Sequence, residues 1–254
     1  MASPRRLAAV AAFALLALMP AARAMGAPDC APEDLAPVDA WLARHPWHAG
    51  ATTPDAMVAA ACRLWPFDKR LLIVAAAYAQ DQEQDKNLVV ALVDTKDMSV
   101  RAAFQGVALE DETWSITQAS LRIDTAPYDL APGVRAFAVD ICSDALDAPV
   151  RGGVTATRSL FVADGARLRL ILDGFVLTTS RKTAAGDAET TSAKIALGPH
   201  RTNGFADLRI TRTTTAAGKA RQEHTSFTYD GTRYGAEAGW RVPQVQPEGE
   251  ARRR

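Results

Sequence analysis

The chain has 254 residues, 48% hydrophobic and 23% charged, with 29 basic residues balanced by 29 acidic ones. That balance excludes collagen-like, mucin-like and wholly disordered chains, and it removes bulk charge attraction to nucleic acid as a basis for function. Three cysteines are too few for a disulfide scaffold and are not spaced as a zinc ribbon.

The first 24 residues read as a secretory signal. Arg5 and Arg6 precede an apolar run from Leu7 to Met19, Pro20 breaks it, and Ala22-Arg23-Ala24 offers small residues at the cleavage positions. The run is shorter than the roughly 20 residues that span a bilayer. Cleavage removes three arginines and no acid, leaving 26 basic and 29 acidic residues, a net charge of −3. The expected location is periplasmic or secreted, with no membrane span after cleavage, in a compartment that permits disulfides.

Residues 25–69 read as a helical cap. Leu35, Val38, Trp41 and Leu42 share one face at helical spacing, and Thr53-Pro54-Asp55 resembles a second helix start ahead of Met57, Val58, Ala61 and Leu64. Cys30 precedes the first of these segments and Cys62 lies in the second. A bridge between them is the favoured pairing, which leaves Cys142 over; pairings 30–142 and 62–142 remain open. His45-Pro-Trp-His48 has an H-x-x-H outline without a third ligand nearby, and reads as a structural loop.

From residue 70 the texture is that of strands, at 71–79, 88–93, 100–104, 114–123, 134–141, 159–162, 168–176, 193–197, 205–211 and 226–229. Leu168, Leu170 and Leu172 alternate with Arg167 and Arg169, and Asp164-Gly165 is a hairpin signal. The expected fold is mainly β: an antiparallel sandwich or a small propeller-like repeat, topped by the helical cap. A β-rich domain at 70–241 contains two related stretches, 119–172 and 191–236, which share Phe161-Val-Ala-Asp-Gly-Ala-Arg-Leu168 and Phe227-Thr-Tyr-Asp-Gly-Thr-Arg-Tyr234 in register. Polar loops are expected at 183–189 and 213–222, and a disordered tail at 242–254.

Asp81, Glu83 and Asp85 stand at alternate positions ahead of an apolar strand, the one place where carboxylates could converge on calcium. The EF-hand glycine and distal Glu are missing, and a solvated acidic loop is the simpler reading. Motifs for nucleophilic catalysis, zincin chemistry and phosphate cradling are absent from the sequence, and no cofactor is implied. Asn203-Gly204-Phe205-Ala206-Asp207-Leu208-Arg209-Ile210 resembles the loop and strand of FG-GAP and VCBS-type repeats, and Asp81 to Val90 does so more distantly. The resemblance implies an exported bacterial β-protein, similar to some periplasmic lysozyme inhibitors. His200, Arg201 and Thr202 stand where an intact loop carries acids, which argues against metal there. The functional expectation is a non-enzymatic exported protein that binds a protein or envelope component. A hydrolase with an acidic site assembled only in the fold, and an envelope assembly or structural factor, are the alternatives.

Overall fold

The computed structural model describes residues 30–47, 56–80, 85–110, 114–143, 153–182, 187–235 and the backbone of 245–247. The proposed signal segment, Asp81, Glu83, His48 and Trp240 lie outside the described residues. The fold is mainly β, with one short helix near the N-terminus and a large, mostly antiparallel sheet that does not close.

Helix α1 (Pro32–Leu42) begins as its sequence dictates. Pro32 occupies the first turn, Glu33 and Asp34 favour the positive helix end, and the Asp34 carboxylate accepts the Ala31 N–H at 3.2 Å. Leu35, Val38 and Leu42 are buried, and the Tyr78 hydroxyl donates to Asp39 at 3.0 Å, tying the helix to the sheet.

The second segment is not a helix. Residues Met57–Leu64 form strand β1, paired antiparallel with β2 (Leu71–Ala79). Its alternation is hidden because both faces are covered: Ala59 and Ala61 face the main core, while Ala60 lies under α1. Alanines that favour an isolated helix here let α1 sit close on the sheet, and packing overrides propensity. The Cys30–Cys62 disulfide pins the chain ahead of α1 to β1, with the two Cα atoms 5.0 Å apart.

Strands β1, β2, β3 (Lys86–Asp94) and β4 (Ser99–Ala108) make one antiparallel meander. A second comprises β5 (Leu121–Ala131), β6 (Val134–Cys142), β7 (Gly153–Asp164) and β8 (Arg167–Lys182). The two curl toward each other over a shared core in which Phe137 lies between Trp65 and Phe161, with ring centroids 5.6 and 5.9 Å away. One seam between the meanders is a single parallel bridge, Ala103 to Arg167. At the other, β1 and β5 approach within 8 Å between Cα atoms but share no ladder. Since every other pairing in this circuit is antiparallel, β5 runs in the same sense as β1.

A second layer covers the outer face of β5–β8. It is built from β9 (Ala188–Thr202), β10 (Phe205–Ala216) and β11 (Lys219–Phe227), and it buries Leu208, Ile210 and Phe227 against Leu130, Leu160 and Phe175. The 114–123 strand starts later than its sequence implies, at Leu121, because Thr117 and Ser120 form a turn with the Thr117 N–H donating to Ser120 Oγ at 2.8 Å. Alternation in β8 also breaks. The register skips Ile171, pairing Phe161 with Leu170 and Leu160 with Leu172, so Leu172 joins the outer core while Leu168 stays inside. Asp164-Gly165 is a hairpin, with Gly165 at φ +61° as first central residue.

The stretch 213–222, expected as a loop, is instead the β10–β11 hairpin, closed by Ala217 (φ +47°) and Gly218 (φ +73°). A threonine-rich run pairs well in a sheet, and the loop reading mistook β-branched polar residues for linker. Ala217 bears a Cβ in the left-handed region, so Ala217→Gly is expected to raise stability by about 1 kcal/mol, read as a higher midpoint in urea unfolding. The tail also contains structure, since Val245–Pro247 form β12 on β4.

The Asp-Gly stretch of the second related segment is a turn as well. The Asp230 carboxylate accepts the backbone N–H groups of Thr232 and Arg233 at 2.7 and 2.8 Å and the Thr232 hydroxyl at 2.7 Å. The Arg233 and Thr232 bonds hold its carboxyl down to about 2. With the folded value below the unfolded one, the turn is favoured above about pH 4 and loses that support as pH falls toward 2. NMR titration of Asp230 should show a midpoint near 2; an ordinary carboxylate midpoint would refute the cap.

Candidate functional site at the open seam

The strand ladder fixes which backbone groups face the open seam. The Trp65 N–H donates to the Leu71 carbonyl across β2, which sets the phase: Ala59, Ala61 and Arg63 bond to β2, while Ala60, Cys62 and Leu64 turn their N–H and C=O groups toward β5. On β5, the Cys142 N–H donates to Ser120, so Leu121 and Ile123 turn theirs toward β1. In place of a ladder, one side chain crosses the seam: Arg63 donates to the Ile123 carbonyl at 3.3 Å.

Outside the crossing lies a cavity of about 450 Å³ lined by Ala61, Cys62, Arg63, Arg122, Asp124 and Asp140, among others. Beneath its acidic wall sits an ionic cluster. Arg158, on β7, forms a two-pronged pair with Asp140 on β6, both contacts 2.7 Å, and reaches Asp124 and the Tyr128 hydroxyl on β5, each also at 2.7 Å. Strand parity explains the meeting: Asp140, Arg158 and Asp124 alternate with the inward Val139, Ile141 and Ile123. Burial pushes the Asp140 carboxyl up, with the Arg158 guanidinium opposing, and pushes the Tyr128 hydroxyl up to about 12. The cavity therefore joins two carboxylates, one of them raised, the arrangement a hydrolase needs. Both are nevertheless held by Arg158, and the second Asp124 oxygen takes the Ala126 N–H at 2.8 Å. This geometry clamps three strands together and leaves the arginines Arg63 and Arg122 as the exposed charges of the groove.

The seam has an apolar margin too. Among the described residues, the exposed large hydrophobic side chains are Met57, Leu64, Phe67 and Met98. Three of these four belong to β1 or the turn after it. Phe67 lies under the Arg135 guanidinium, 4.9 Å from its ring centre, and Arg135 in turn pairs with Asp129.

The carboxylates singled out in sequence fall elsewhere. Asp85 accepts the Glu110 N–H at 2.8 Å, and Glu110 pairs with the half-buried Lys86 at 3.0 Å and accepts the Ile116 N–H at 2.6 Å. Asp85 thereby ties the start of β3 to the segment leaving β4. Asn203 and Gly204, at φ +49° and +87°, close the β9–β10 hairpin, and the Asn203 amide donates to the Tyr229 carbonyl at 2.8 Å. Arg201 donates to the Leu130 carbonyl, and His45 stacks on Trp41 at 4.2 Å. Sequence reasoning missed Arg63, Arg122, Asp124, Asp140 and Arg158. The available signal was Asp140 inside the apolar run 134–141, a charge that demands a partner on a neighbouring strand. No family model, curated protein or solved structure matches the chain.

Proposed function

We propose that the chain is an exported, non-enzymatic protein that binds a macromolecular partner, a protein or envelope component, along the exposed edge of β1. The observation that carries this reading is the concentration of exposed apolar side chains, Met57, Leu64 and Phe67, on and just after one strand whose outer backbone groups have no strand to pair with among the described residues. An open edge flanked by apolar groups is a surface that monomeric proteins normally cover or charge. Export is supported by the signal-like N-terminus and by the Cys30–Cys62 disulfide, a bond that persists in oxidising compartments. Among the described residues no helix is long and apolar enough to cross a membrane. The inhibitor-like form of this reading rests on the resemblance of Asn203–Ile210 alone.

The test is capture from envelope extract by the tagged mature protein and by a Met57→Ser, Leu64→Ser, Phe67→Ser variant. The proposal expects a partner retained by the first and lost by the second, with equal thermal unfolding of both. Equal capture by both would refute β1 as the docking edge.

A further inference from the structure

At the other parallel seam of this sheet, a short segment of the chain adds to the edge of one of the two strands. Gly106–Ala108 of β4 already pair with Lys86–Leu88 on one side, so β12 lies on the other edge of β4, the one facing β8. It runs antiparallel to β4. A segment entering between two parallel strands can pair antiparallel with both, the better-bonded arrangement. The seam between β1 and β5 has the same parallel sense and has no such segment among the described residues.

We propose that this second seam takes an extended acidic peptide segment of the partner, paired antiparallel with β1 by strand addition; the inference rests on the binding function proposed above. The backbone partners are in place: Cys62 and Leu64 on one side, Leu121 and Ile123 on the other, all turned into the gap. Charge selects the occupant. Arg63 and Arg122 flank the groove, and together with Arg158 they outnumber Asp124 and Asp140 by three charges to two, so the groove carries a net positive charge. Leu64 and Phe67 offer an apolar anchor at the end of β1 where an antiparallel segment would enter the groove. A strand seated between two others spans about 9.6 Å, whereas β1 and β5 Cα atoms already come within 8 Å, so the seam must widen to admit one, with the arriving strand taking over the Ile123 carbonyl from Arg63.

A displayed library of random 12-residue peptides, selected on the disulfide-intact mature protein, tests the assignment. Enriched peptides should carry Asp or Glu among alternating apolar residues. Their affinity should fall about tenfold or more in Arg63→Glu and in Arg122→Glu, where like charges now face each other. It should also fall in Leu64→Pro, which removes an N–H directed into the seam while sparing the β2 ladder. Arg63 and Arg122 are exposed, so their variants carry the test even if Leu64→Pro unfolds. Failure to enrich any peptide, or enriched peptides indifferent to the arginine changes, overturns the seam as an acidic-strand site. The capture experiment with the serine variant judges the broader binding function separately.

Discussion

Replacing Arg158 with methionine is expected to lower stability by about 3–5 kcal/mol, the cost of stranding a buried charge. Its side chain is only 13% exposed, and Asp140 opposite it 12%. The substitution would leave Asp140 without its two-pronged partner and Tyr128 without a donor, at the point where β5, β6 and β7 are cross-linked on their outer face. The loss should shrink at low pH. Asp140 has a folded-state carboxyl value above its ordinary one, and removing Arg158, which opposes that rise, sends it higher. A raised carboxyl favours the fold below the unfolded value and loses that support as pH rises through the folded value. Urea unfolding of the variant should thus improve as pH falls from neutrality toward 4. Asp140→Asn in the same background should recover part of the loss; no recovery would show that the pair is not what the arginine serves.

Removing the disulfide is the second large effect. Cys30 and Cys62 are separated by 32 residues, and opening a loop of that size costs about 3–4 kcal/mol in the chain-entropy model. The damage should be local as well as global. Cys30 is what ties the leading end of α1 to β1, and α1 covers the outer face formed by Ala60, Val74, Ala76, Val89 and Ala91. A Cys30→Ala, Cys62→Ala variant is expected to expose tryptophan, since Trp47 lies buried in that cluster beside Tyr78 at 6.3 Å. Red-shifted fluorescence preceding global unfolding would report the lifted helix; one coincident transition at the original midpoint would contradict it.

The sequence was most readable where one face of an element is wet. The first helix, with Leu35, Val38 and Leu42 buried and Glu33, Ala40 and Ala43 in water, follows its pattern closely. Strands β2, β3 and β6 are buried on both faces and were legible for a different reason, as long apolar runs bounded by turn residues. Legibility failed for β1, where burial on both faces erased alternation and alanine spacing imitated a helix. It failed again at Leu172, because a skipped residue in the ladder reverses faces without any compositional mark. The groove was hidden for a different reason. Arg63, Arg122, Asp124, Asp140 and Arg158 come from β1, β5, β6 and β7, and only the curl of the two meanders brings them together. Each looks like an ordinary strand charge when read alone.

That the edge of β1 is open is the premise on which the proposed function and the strand-addition site both stand. Native-state hydrogen exchange reads it directly, residue by residue. The Cys62 and Leu64 amides, turned toward the seam, should exchange far faster than those of Ala61 and Arg63, which bond to β2 within the same strand. An alternating pattern of slow and fast amides along β1 is the predicted result. Uniformly slow exchange at all four positions would mean that the edge is already paired, and would contradict the account.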